Sequence, residues 1–198
     1  MGTLASVDRY LASLPGGIDA YRECAHKGVP LGVWLRHSPI AGLAERVPPR
    51  VGDLLRAPGD LPQWIPEVHA NVIYLAIREV HFADDSAFLA HARECNRAVL
   101  DTPANRVLFW AASPRAILRG AQVRWRSLHV GTQIHVRFPS SASADIELTF
   151  PPNLMPEIVL RGNAQGVAVA LENVGARDVE IELRVADPTR GAFSARWR

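Results

Sequence analysis

Seven histidines, two cysteines and a run of unopposed arginines are the residues of this chain that could do chemistry. The histidines stand at 26, 37, 69, 81, 91, 129 and 135. No two are four residues apart, the spacing that sets a pair of imidazoles on one helix face to hold zinc, and no His-Glu-x-x-His occurs. Cys24 and His26 are too close in sequence to act as nucleophile and base without a third group to orient them, and the patterns G-x-S-x-G, P-loop, G-x-G-x-x-G and S-x-x-K are absent. Cys24 and Cys95 fall in segments that read as helical and have no second pair to form a framework, so they are expected to be reduced packing thiols.

His69 carries more weight than the other histidines because it precedes Ile73, Ala76, Ile77 and Val80 on one flank of an apolar helix. A neutral imidazole there could ligate haem iron or bind a polar ligand group, or could simply bond a backbone carbonyl inside the core. His129 stands at the exit of an arginine-rich helix, where a cation is favoured by the helix dipole. Trp34, Trp64, Tyr74, Trp110 and Trp125 belong to or border the same helical region, and large rings with polar tips suit core packing or an apolar pocket. A pocket built from His69, Tyr74, Trp110, Arg119, Trp125 and His129 is therefore expected between the helices and the dry face of a sheet.

That sheet is the most legible element. Ile134, Val136 and Phe138 alternate with Gln133, His135 and Arg137, and Ile146, Leu148 and Phe150 with Asp145, Glu147 and Thr149. The alternation returns in Val179, Ile181, Leu183 and Val185, then in Phe193, Ala195 and Trp197. Period two means strands with one dry and one wet face, and Arg137 is expected to face Glu147 across the first hairpin. Between the two pairs, Leu160, Ala164, Val167, Leu171 and Val174 form one stripe of a helix from about Pro156 to Val174, closed by Gly175. The predicted fold class is α+β: a helical N-terminal layer over roughly 1–130, then ββαββ over 131–198, forming a four-stranded antiparallel sheet with helices on one face, all within a single domain.

The N-terminal part is punctuated by prolines and glycines. Helices are predicted over Thr3 to Leu14 and Asp19 to His26, short turns near Gly32 to Arg36 and Arg50 to Arg56, a buried helix from Pro66 to about His81, and another capped by Asp84 or Asp85. A short segment through Trp110 follows, then one helix from Ser113 to Leu128.

Composition narrows the function classes. A net charge of +2 and 48% hydrophobic residues describe an ordinary globular chain. No apolar run approaches the roughly 18–20 residues that span a bilayer, and a cytoplasmic location is expected. Residues 113–137 hold Arg115, Arg119, Arg124, Arg126 and Arg137 without one acid, a stripe that could track phosphates, although no exposed aromatic interleaving or nucleic-acid motif accompanies it and nucleic acid is not expected as a partner.

Written in this order, the chain resembles an uncharacterised family of proteins expanded in myxobacteria. The likeness rests on Leu14-Pro15-Gly16-Gly17, on Trp125-Arg126-Ser127-Leu128-His129-Val130-Gly131 leading into the first strand, on Gly175-Ala176-Arg177-Asp178-Val179, and on the closing Arg196-Trp197-Arg198. More distantly the layout is similar to the haem–nitric-oxide-binding and vinyl-reductase-like sensor domains, which implies small-ligand binding between helices and a four-stranded sheet. The Tyr-x-Ser-x-Arg signature that holds haem propionates in that family is absent here, so the cofactor stays open, haem included. The expected function is a non-catalytic small-ligand-binding or signalling module for an apolar or amphipathic ligand, with a protein partner or homodimer as its output. The alternatives are an enzyme using His69 or His129 as general acid or base, and a ligand-free interaction protein.

Overall fold

A computed structural model describes residues 4–198. The elements run α1 (Ala5–Ala12), β1 (Ala25–Lys27), α2 (Gly28–His37), α3 (Pro49–Arg56), β2 (Trp64–Pro66), α4 (Glu67–His81), α5 (Asp85–Leu100), α6 (Pro103–Ala111), α7 (Pro114–Arg119), α8 (Ala121–Leu128), β3 (His129–Val130), β4 (Gln133–Ser140), β5 (Ser143–Thr149), α9 (Glu157–Asn173), β6 (Glu180–Asp187) and β7 (Arg190–Arg196). The α+β class and the ββαββ order are as the alternation predicts.

The C-terminal strands form one antiparallel sheet in the order β4-β5-β7-β6. Its dry face carries the rows Val136–Ile146–Phe193–Leu183 and Ile134–Leu148–Gly191. Helix α9 lies on this face through Leu160, Ala164 and Leu171. Leu160 needs the glycine at 191: a Cβ there would stand 2.8 Å from the leucine Cδ2. On its other side α9 meets α5, where Arg93 bonds Gln165 at 3.0 Å and pairs with Glu172. Two details of register differ from expectation. Arg137 faces Asp145, while Glu147 faces His135 and pairs with Arg190. A register shift between Leu183 and Val185 aligns Val185 with Ala192, in the row of Glu147, so the dry-face alternation of β6 breaks there.

The N-terminal layer departs more from the predicted elements. Thr3 lies outside the described residues, and α1 ends before a turn in which Gly16 and Gly17 take positive φ. No helix spans Asp19 to His26. A single 3-10 turn at Gly17–Asp19 leads to β1, which sits in the middle of a small antiparallel sheet ordered β2-β1-β3. The tight passage from β1 into α2 requires glycine at 28, because a Cβ would lie 2.0 Å from the Pro62 carbonyl oxygen. The proline-rich stretch holds two full helices instead of short turns. Pro30 falls in the first turn of α2 and Pro49 opens α3, positions whose N–H groups have no intrahelical partner to lose. Pro66 ends β2, so α4 begins at Glu67. The arginine-rich segment divides at Gly120 into α7, capped by Ser113, and α8.

Tyr10 fastens α1 to the body. Its hydroxyl donates to the Leu154 carbonyl at 2.7 Å and accepts from Asn71 Nδ2 at 3.1 Å, and Asn71 also donates to Leu154 at 2.8 Å. Tyr10→Phe is expected to cost about 1–2 kcal/mol, since one buried donor and one acceptor vanish while the direct Asn71–Leu154 bond survives. A urea unfolding curve with unchanged slope and a lower midpoint is the readout.

Candidate functional site

The small sheet brings polar groups into the interior. Register pairs His26 of β1 directly with His129 of β3, and the rings stand edge to face with centroids 4.8 Å apart. Glu67, first residue of α4, has its N–H on the Cys24 carbonyl at 2.9 Å, which turns its carboxylate under the same strands. His129 Nδ1 donates to Glu67 Oε2 at 3.1 Å, and His26 Nδ1 donates to the Lys27 carbonyl at 2.7 Å. Glu67 is 1% exposed and both histidines are buried. Trp125 of α8 lies flat on His129 at 3.9 Å, and its indole N–H donates to the buried Thr132 hydroxyl at 2.9 Å. The turn between is held by Gly131, with φ of 78°, where a Cβ would stand 2.4 Å from Cys24 Sγ.

Electrostatics assign the protons. Burial dominates at His26 and, with His129 beside it, pushes its pKa down to about 4, so the ring is neutral with its hydrogen on Nδ1. Burial alone works against charge on Glu67, but the charge and hydrogen bond of His129, with His26 adding to them, hold its carboxyl below the usual range. Both Nδ1 atoms are thus engaged, while neither Nε2 has a hydrogen-bond partner among the described residues. The cluster can offer two imidazole edges to a polar ligand group.

The residues singled out from sequence are distributed unevenly around this centre. His129 and Trp125 are in it. Tyr74 adjoins it, edge to face with His26 at 6.3 Å and with Trp34 at 4.8 Å, and burial pushes its phenol well above the ordinary value, so it stays protonated. His69 lies elsewhere, beside the Ile18 backbone with Arg50 and Asp19 nearby; burial and then the Arg50 charge lower its pKa. Arg119 stands over the Phe138 ring at 6.0 Å, next to Arg115 at 4.7 Å. Trp110 is 88% exposed. The expected grouping with His69, Arg119 and Trp110 does not form, because α4 turns His69 toward the 3-10 turn, and the break at Gly120 sets α7 apart from α8. Sequence reasoning missed Glu67 and His26. The available signal for the first was an acid directly behind Pro66 at a helix start, and for the second a histidine two residues before Gly28.

A second constellation was also missed, although its spacing is plain. His91 and Cys95, one turn apart on α5, sit 3.3 Å apart, with Ser38 Oγ 2.9 Å from the same His91 Nε2. The nucleophile-and-base look is deceptive. Cys95 is 0% exposed and burial raises its thiol to about 11, which leaves no thiolate to react.

No protein-family model and no curated protein matches the chain. Among solved structures it is similar to an oxygen-binding H-NOX domain related to soluble guanylate cyclases, in its oxygen complex, with TM-score 0.57, 11% identity, and coverage of 87% of this chain and 95% of that one. It is similar as well to the Fe(II) unliganded H-NOX protein from K. algicida, with TM-score 0.57, 11% identity, and coverage of 87% and 96%. A mutant structure of the T. tengcongensis H-NOX gives TM-score 0.55 at 11% identity, covering 87% and 97%. The chain has the H-NOX fold. Within it, the residues present do not fit a haem. The inward positions of β4 are Ile134, Val136 and Phe138, and the interval between sheet and helices is occupied by Leu148, Leu160 and Phe193, with Leu160 pressed on Gly191. His69 faces the 3-10 turn and not the sheet. No group of three or more His, Cys, Asp or Glu among the described residues is placed to hold a metal ion. On this fold the Glu67–His129–His26 cluster is the buried group of ionisable side chains in mutual contact.

Proposed function

We propose that the chain is a non-catalytic small-ligand-binding or signalling module on an H-NOX fold, with its recognition centre at the Glu67–His129–His26 cluster. One observation carries this reading: a buried carboxylate–imidazole pair with two Nε2 edges lacking protein partners, roofed by the flat indole of Trp125. Trp125 and Tyr74 supply apolar walls, and the imidazole edges supply the few polar groups that orient a ligand. Such a ligand is small, with an apolar body and a hydrogen-bond donor for the neutral His26 Nε2. The neutral state of His26 and the fixed hydrogen bond of Glu67 favour binding over proton transfer. Output would pass through α8, which carries Trp125 and packs on β4, the edge strand of the large sheet. The protein partner or second copy that receives it belongs to this proposal too, as does a cytoplasmic setting.

Native mass spectrometry of freshly purified protein, beside a denaturing spectrum and a visible absorption scan, tests the reading. A small mass excess that disappears on denaturation and is missing from His129→Phe is expected, without a Soret band. A Soret band would overturn the closed interior described above. A bare mass in wild type would transfer the function to protein interaction alone.

A further inference from the structure

Helix α6 turns most of its large apolar residues outward. Only Phe109 is buried on it, while Val107 is 69% exposed and Leu108 and Trp110 also face outward. A water-facing helix normally turns its charged residues out. The neighbouring α8 adds Val123, 77% exposed, and the two helices are joined by the hydrogen bond from Arg124 to Asn105. Scattered apolar residues on a surface need no explanation, but an outward stripe on one helix continued by its neighbour does.

The segment that carries this stripe is basic throughout. From Thr102 to Ala144 the sequence contains no Asp or Glu. Arg106 is taken up by Asp101, but Arg115, Arg119, Arg124 and Arg126 form no ion pair among the described residues, in contrast to arginines such as Arg78 and Arg93 elsewhere. A projecting tryptophan with exposed valines, in a segment whose arginines at 115, 119, 124 and 126 have no acidic partner among the described residues, complements a surface that is anionic at its face and apolar just beneath. No helix of the described residues is long and apolar enough to cross a membrane, so the contact would be peripheral.

We infer that the α6–α8 face docks on an anionic lipid surface, with Trp110 entering the headgroup layer and the arginines contacting phosphates. The occupant is a lipid surface in preference to an acidic protein because the apolar groups project outward from a helix held by one anchor, a shape suited to insertion.

Co-sedimentation with phosphatidylcholine vesicles, with and without phosphatidylglycerol, reads this directly. Wild type is expected to pellet only with the phosphatidylglycerol vesicles, less so at high salt, with a blue-shifted tryptophan emission. Trp110→Ala should weaken partitioning about ten-fold, and Arg124→Gln with Arg126→Gln should remove its salt dependence. Circular dichroism of Trp110→Ala should match wild type, since the side chain is exposed. Failure to pellet with phosphatidylglycerol vesicles overturns the inference, as does undiminished binding by Trp110→Ala. Retention on polyglutamate without vesicle binding would overturn it in favour of an acidic protein partner.

Discussion

Glu67→Leu is expected to lower the unfolding free energy by about 3–5 kcal/mol, because it leaves the buried His129 imidazole without the acceptor that compensates its desolvation. Against a typical total of about 5–15 kcal/mol, that loss would leave a marginal fold. The chemistry separates this from a simple packing defect. Glu67→Gln keeps a carbonyl oxygen where Nδ1 donates and should cost about 1 kcal/mol. Glu67→Leu combined with His129→Phe removes both polar partners, keeps an aromatic ring under Trp125, and should recover most of the single-variant loss. Denaturant curves for wild type, Glu67→Leu, His129→Phe and the combined variant form a double-mutant cycle. Additive losses across it would show that the two residues do not support one another. The same cycle bears on the proposed function, since a double variant restored in stability but unable to retain a ligand would place recognition in the polar groups themselves.

The asymmetry between what sequence revealed and what it concealed has a physical origin. Alternation in β4 to β7 is readable because one face of each strand turns toward the helices, α8 over β4 and α9 over β6 and β7, and the other toward water, so the pattern runs through strands of seven or eight residues up to the shift in β6. β1 and β2 have three residues each and β3 has two, too few to establish a period, and their pairing is long-range. The candidate site inherits that difficulty. Trp125 and His129 were legible as an aromatic and a histidine four residues apart at one helix end. Glu67 was not, because an acid in the first turn of a helix ordinarily faces water and complements the dipole. It is buried here only because β1 and β3 lie across it. His26 likewise acquires its partner through register with a residue far along the chain. The helix over Pro114 to Leu128 was correctly typed but wrongly continuous, since Gly120 allowed a break that propensity alone does not demand.

Acid should destabilise this protein before ordinary carboxylates titrate, and His26 is the reason. Its folded pKa of about 4 lies below the unfolded value of 6.5, so the unfolded chain binds more protons throughout the interval between them. Stability is therefore at its full value above pH 6.5 and falls as pH drops toward 4, by about 3 kcal/mol if burial and His129 act at full strength. His69, His81 and His91 are also depressed and add slope of the same sign. Glu67 extends the loss to lower pH: its folded pKa is depressed below 4.5, so its contribution is present above 4.5 and disappears as pH falls through the folded value. His26→Gln replaces the titrating ring by a neutral donor that can still reach the Lys27 carbonyl. It should flatten the larger part of the decline between pH 6.5 and 4 while leaving the decline below 4.5 in place. Urea midpoints measured across this range for both proteins decide the matter. Parallel curves would mean that His26 titrates alike in the folded and unfolded chain, so that its burial beside His129 does not hold the ring neutral as pH falls.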